Sequence, residues 1–146
     1  MRAIIALLLA LFATPTLAQQ MPWWGGSATG TGYPTNSTPV TSSATGSNAA
    51  VSATLPGVAG KATFICGVVL TSNDAATANY VTATITGTVS GTLNFIYVFP
   101  AAGEAELIVV FPICIPANAM NTPIVVTLPA GGTGTTAAVT AWGYQL

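Results

Sequence analysis

Residues 80–99 decide the fold: Tyr80-Val81-Thr82-Ala83-Thr84-Ile85-Thr86-Gly87-Thr88-Val89, then Ser90-Gly91, then Thr92-Leu93-Asn94-Phe95-Ile96-Tyr97-Val98-Phe99. Val81, Ala83, Ile85, Gly87 and Val89 fall on one side of an extended chain, and Thr82, Thr84, Thr86 and Thr88 on the other. A period of two is the signature of a half-buried strand. Ser90-Gly91 is a two-residue hairpin signal. The return strand sets Leu93, Phe95, Tyr97 and Phe99 on a common side. An isolated hairpin is marginal in water, so this one needs neighbours.

The flanking sequence supplies them. Val51–Leu55 ends at Pro56-Gly57, and Lys61–Leu70 places Phe64, Cys66, Val68 and Leu70 on one face. Beyond Pro100-Ala101-Ala102-Gly103 come Glu104–Phe111, a short run Ile113–Ile115, Ile124–Leu128 and finally Thr135–Tyr144. Pro116–Pro123 and Pro129–Gly132 separate the later runs. Seven strands and one short one, at the spacing of sandwiches and barrels, predict an all-β, antiparallel two-sheet sandwich over residues 51–146. Jelly-roll and immunoglobulin-like Greek-key connections both remain open at this level. An eight-stranded membrane barrel is the competing fold, but it needs outward apolar bands with aromatic girdles. The threonine row opposite Val81, Ala83 and Ile85 runs against it. That row stands on one strand only, so ordinary strand propensity accounts for it.

Composition narrows the function. Charged residues make up 3% of the 146, against roughly 25% in an average soluble protein. They are Arg2, Lys61, Asp74, Glu104 and Glu106, and there is no histidine. Nucleic-acid binding, which needs several phosphate-neutralising cations, is excluded. So are histidine catalysis, histidine metal sites and protonation switches near neutral pH. No cofactor is expected.

Met1-Arg2 precedes the apolar run Ala3–Ala13, then Thr14-Pro15-Thr16-Leu17-Ala18-Gln19. One positive charge, a short apolar core and small residues at Thr16 and Ala18 predict a signal peptide over residues 1–18. A membrane anchor is the alternative, but the run stops at Thr14, short of the roughly 20 residues a span requires. The chain is thus expected to be secreted, periplasmic or on the cell surface, with no membrane span after cleavage.

Residues 19–50 are rich in Gly, Ser, Thr and Pro and uncharged. Without a period of 2 or 3.6 they read as a flexible arm. Trp23, Trp24 and Tyr33 stand out within it, either gripping a partner or folding back over one end of the domain.

Cys66 and Cys114 lie in apolar stretches of an exported chain, which favours a disulfide closing a loop of 48 residues. The chain-entropy model gives such a bridge roughly 4 kcal/mol. Two buried free thiols are the alternative reading.

Catalytic candidates are few. Glu104 and Glu106, two apart on a strand, share one face about 7 Å apart, a spacing that glycoside hydrolysis can use. Their neighbours Ala105, Leu107 and Ile108 offer nothing to hold a sugar. A solvated strand face that discourages edge pairing explains them better. Asp74 reads as an Asx turn, because too few oxygen ligands surround it for calcium.

Leu55-Pro56-Gly57-Val58-Ala59-Gly60-Lys61, Phe111-Pro112-Ile113-Cys114-Ile115-Pro116-Ala117 and Ala137-Ala138-Val139-Thr140-Ala141-Trp142-Gly143-Tyr144 resemble small bacterial and prophage-associated β-sandwich proteins of unassigned function. The resemblance extends over residues 51–146, and none of its motifs carries chemistry. It implies a structural or surface role of virion type. The leader departs from that pattern, since virion proteins assemble in the cytosol.

The expected function is an exported, non-enzymatic structural or adhesion β-sandwich. So little charge leaves long strands unguarded, which points to a homo-oligomer or surface assembly. The alternative is a carbohydrate-binding module, with Trp23, Trp24, Tyr33, Trp142 and Tyr144 stacking on sugar rings. A glycoside hydrolase using Glu104 and Glu106 comes last.

Overall fold

The computed structural model describes residues 32–146. Eight strands and no helix occur among them: β1 Thr38–Ser47, β2 Val51–Leu55, β3 Thr63–Asn73, β4 Asn79–Thr88, β5 Gly91–Phe99, β6 Glu104–Pro116, β7 Ile124–Leu128 and β8 Thr136–Gln145. They form two antiparallel four-stranded sheets, ordered β1-β8-β3-β6 and β2-β7-β4-β5. The first strand pairs with the last, the second with the seventh, the third with the sixth and the fourth with the fifth. One long hairpin has thus been rolled so that its two ribbons lie face to face. That nesting is the jelly roll, and it closes the choice left open by strand spacing.

Leu55, Ile65, Val68, Leu70, Ile85, Phe99, Ile124, Val126, Leu128 and Val139 fill the space between the sheets. The membrane-barrel alternative does not hold, because the inward faces of the two sheets are apolar and packed on each other. Polar groups at the ends of this core are all satisfied. Gln145 Nε2 donates to the Pro56 carbonyl at 2.7 Å, and Thr63 Oγ1 donates to the same oxygen at 2.9 Å. No buried side-chain nitrogen or oxygen among the described residues lacks a partner.

The eight strands are not the eight expected. Ile113–Ile115 belongs to β6, and the additional strand is β1, inside the stretch read as a flexible arm. Its inward positions are Val40, Ser42, Ala44 and Gly46, half-buried in strict alternation. Three of these four side chains are too small or too polar to register as a hydrophobic period, yet small inward groups are what an edge strand over a thin margin of core can hold. Ser43 and Ser47 add hydroxyl contacts to Thr140 and Thr136 at 3.2 and 3.1 Å. Residues 1–31, including the predicted leader and the first part of the arm, lie outside the described residues.

Two irregularities overturn the strict alternation read from the sequence. In β4 the register shifts between Ile85 and Thr88. Gly87 takes a φ of +82° there, and a Cβ on it would strike the Pro123 carbonyl. The shift turns Thr88 inward and leaves Val89 62% exposed, the reverse of the expected faces. The turn itself is Val89–Ser90, one residue earlier than Ser90-Gly91, because Gly91 already pairs with Thr88.

In β3 the register shifts between Ile65 and Gly67. Thr63 and Ile65 point inward before it, Val68, Leu70 and Ser72 after it. Phe64 therefore faces outward instead of joining Val68 and Leu70. On the facing strand, the ladder is interrupted between Val110 and Ile115, so Phe111–Cys114 bulges away. Cys66 and Cys114 are disulfide-bonded at this interruption. The bridge fastens two strands where their backbone hydrogen bonds lapse, and it settles the free-thiol alternative.

The threonine row is also broader than one strand. Thr84 pairs with Asn94 on one side and Thr127 on the other, and Thr127 pairs with Ser52. Ser52 Oγ and Thr127 Oγ1 lie 2.9 Å apart. A polar row crosses the whole sheet, as expected where the outer face meets water.

Candidate functional site

The outward flip of Phe64 creates the densest aromatic group in the described residues. Alternation along β8 places Trp142 and Tyr144 on the outer face of the β1-β8-β3-β6 sheet, both half-buried. The cross-strand partner of Tyr144 in β3 is Phe64, and the rings stack with centroids 4.6 Å apart and planes 13° apart. Tyr33, entering from the segment before β1, tilts against Tyr144 at 5.7 Å and 59°. Burial pushes the Tyr144 phenol above its ordinary value of 10.0.

Trp142 lies one register step further along. Its partner is Gly67, and the six-membered part of the indole occupies the space a Cβ on Gly67 would need. Gly67 is therefore a seat for the ring as well as part of the bulge. At the next position, Gly143 faces the Phe64 carbonyl so closely that no side chain fits. Gly67 thus seats the indole, and Gly143 lets the β3 and β8 backbones come close beside it.

Of the five aromatic residues singled out from the sequence, Tyr33, Trp142 and Tyr144 are thus gathered on one face. Trp23 and Trp24 lie outside the described residues. Phe64 was missed, because unbroken alternation through Cys66 assigns it to the core. Gly67 inside an otherwise apolar strand was the available sign of a bulge. The group is half-buried and bordered by Thr41 and Ser43 on β1 and by Thr140 on β8 itself. Stacking on an apolar or sugar-like surface is the chemistry such a face can offer.

The carboxylates sit elsewhere. Glu104 and Glu106 are exposed at the start of β6, at the opposite end of the same sheet from Tyr144. With Thr45, Thr71, Asn73 and Thr136 they border an open depression of about 460 Å³. Lys61, the single cation among the described residues, donates to Thr38 Oγ1 at 3.0 Å at the far end of the sandwich. Asp74 does not form a local Asx turn. Its Oδ1 accepts from the Gly103 N–H at 3.2 Å, and its own N–H donates to the Gly103 carbonyl, tying the β3–β4 and β5–β6 connections together. No cluster of three metal-ligating side chains occurs among the described residues. No helix among them is long and apolar enough to cross a membrane.

A third feature is apolar. Ile108, Val110 and Ile113 of β6 are 55%, 63% and 80% exposed. On the opposite sheet Ile96 of β5 is 67% exposed and Val98 is also uncovered. These two strands form the same flank of the sandwich, where the sheets barely meet. The disulfide fits an oxidising compartment outside the cytosol. No family model and no curated protein matches the chain.

Proposed function

We propose that this protein is an exported, non-enzymatic structural or surface component that works by self-association. The observation carrying this reading is the β5/β6 flank, where β5 exposes Ile96 and Val98 and β6 exposes Ile108, Val110 and Ile113. Single exposed aliphatics are ordinary, but their recurrence along both edge strands of one flank supports an interaction surface there. A chain with 3% charged residues has little else to keep such a flank in water. The signal peptide expected over residues 1–18 supports export, and the disulfide is consistent with it. Glu104 and Glu106 serve as solvated guards of the β6 edge rather than as catalysts.

Light scattering after size-exclusion chromatography tests this reading. The expected result is a mass above that of the monomer that grows with loading concentration. A monomer at every loading overturns it.

The aromatic layer favours a second reading, glycan binding by Tyr33, Trp142 and Tyr144 with Phe64 added. Jelly rolls include both capsid and lectin domains, so the fold does not choose between the two. Against it, Phe64 and Tyr144 already stack on each other and Gly67 backs Trp142. A tryptophan-fluorescence titration with soluble polysaccharides tests it. A saturable change that Trp142→Ala abolishes supports this reading, and no response removes it.

A further inference from the structure

We infer that β5 is the edge through which two copies of this chain join, antiparallel about a twofold axis, so that two four-stranded sheets continue as one of eight. This rests on the self-association reading and names its surface and partner. The sandwich has four edge strands, β1 and β6 in one sheet and β2 and β5 in the other. Three of them are guarded. β6 carries Glu104 and Glu106, contains Pro112 and is bent by the displaced register at Phe111–Cys114. Charge, proline and bulging are the usual ways of blunting an edge. β2 has only five residues, and β1 packs beside it, with Ser42 Oγ accepting from the Thr54 N–H at 3.1 Å. β1 also carries Pro39 at its start.

β5 has none of these protections. Its nine residues, Gly91–Phe99, include no charge and no proline, and Leu93–Phe99 pairs with β4 in unbroken register. Its other side has no strand partner among the described residues. Leu93 and Phe95 point toward the core yet stay only half-buried, because β6 approaches β5 closely only where the Tyr97 hydroxyl reaches the Ala105 carbonyl at 2.9 Å. The open flank thus exposes inner side chains as well as backbone.

A second copy matches this edge. Full antiparallel overlap centred on Phe95 sets Phe95 against its counterpart, Leu93 against Tyr97, Asn94 against Ile96 and Thr92 against Val98. An isologous pair normally brings like charges together, but here there are none to oppose it. The copy also supplies the apolar cover that Leu93 and Phe95 lack. A single strand edge buries less than the roughly 800 Å² per partner of a standard interface, so association belongs in the micromolar range or weaker.

Sedimentation equilibrium of the exported protein from about 10 µM to 1 mM, with amide exchange of residues 91–99, tests the proposal. Asn94→Lys/Ile96→Lys is compared with Val110→Lys on β6. Wild type is expected to dimerise and β5 protection to rise with concentration. The β5 double variant should weaken association about tenfold or more, and by more than Val110→Lys on the other strand of the flank does. If the double variant melts early, the concentration dependence of wild-type exchange decides alone. A wild-type monomer throughout defeats the self-association reading itself. Association that survives in the β5 variant and fails in Val110→Lys keeps that reading and overturns the β5 edge. Protection of β5 independent of concentration also overturns it, by showing that another segment or partner covers the strand.

Discussion

Gly67 and Trp142 face each other across the β3–β8 ladder, with the indole resting where the side chain of residue 67 would begin. The same glycine ends the bulge that turns Phe64 outward and brings Cys66 to Cys114. One position thus links the shape of the sheet, the covalent staple and the aromatic layer.

Gly67→Ala should push the indole outward at a cost of about 1 kcal/mol, because the obstructing atoms belong to a side chain on the outer face. Gly143→Ala meets the Phe64 backbone instead and should cost about 3 kcal/mol or more. Chemical denaturation gives the order of the two. Equal losses would contradict the distinction between a ring that can move and a strand that cannot.

Cys66→Ala/Cys114→Ala removes the staple of a 48-residue loop. A stability loss of about 2–4 kcal/mol is expected, in line with loops of this length. Amide exchange should rise first in residues 110–116, where the β3–β6 ladder is already interrupted. Faster exchange confined to another strand would show that the bulge is held by packing alone.

Tyr97 makes stability sensitive to alkali. Its hydroxyl lies 2.9 Å from both Ser72 Oγ and the Ala105 carbonyl. Burial raises its pKa above 10.0, the Ser72 hydrogen bond opposes the shift, and the Glu106 charge adds to it. The folded state therefore holds the phenolic proton more tightly than the unfolded state. That contribution is complete below about pH 10 and is lost as pH climbs through the folded value. Tyr144, also raised by burial, acts in the same direction. Stability should fall above about pH 10, and Tyr97→Phe should lower it at neutral pH while making the alkaline decline shallower. An unchanged slope in Tyr97→Phe would remove Tyr97 as the cause.

Gln145→Leu deletes one of the two donors to the Pro56 carbonyl and leaves Thr63 Oγ1 as the other. The expected loss is about 1–2 kcal/mol, since the carbonyl keeps a partner. The Thr63→Val/Gln145→Leu double variant orphans that oxygen and should lose more than the sum of the single changes. Thermal melts of the four proteins measure the coupling.

The two-sheet architecture was legible from residues 80–99, since alternation and a tight turn leave a half-buried hairpin in need of a second layer. Its topology was not, because the pairs β1–β8 and β2–β7 join residues far apart in sequence. β1 escaped notice because Ser42, Ala44 and Gly46 alternate in burial without alternating in hydrophobicity. Gly87 and the Cys66–Gly67 bulge hid the faces of Thr88, Val89 and Phe64, since one extra residue reverses everything after it. Tyr33, Trp142 and Tyr144 were recognisable as exposed-type aromatics. That Tyr33 and Phe64 both meet Tyr144 depends on a register no local pattern encodes.

Sedimentation equilibrium of the wild-type protein at low and at high salt is the decisive test of β5-mediated dimerisation. An interface made of strand backbone and aliphatic side chains is insensitive to screening. The expected result is a monomer–dimer equilibrium whose dissociation constant stays the same within about twofold between roughly 0.05 and 0.5 M salt. A monomeric mass at every concentration, or association that vanishes as salt is added, contradicts it.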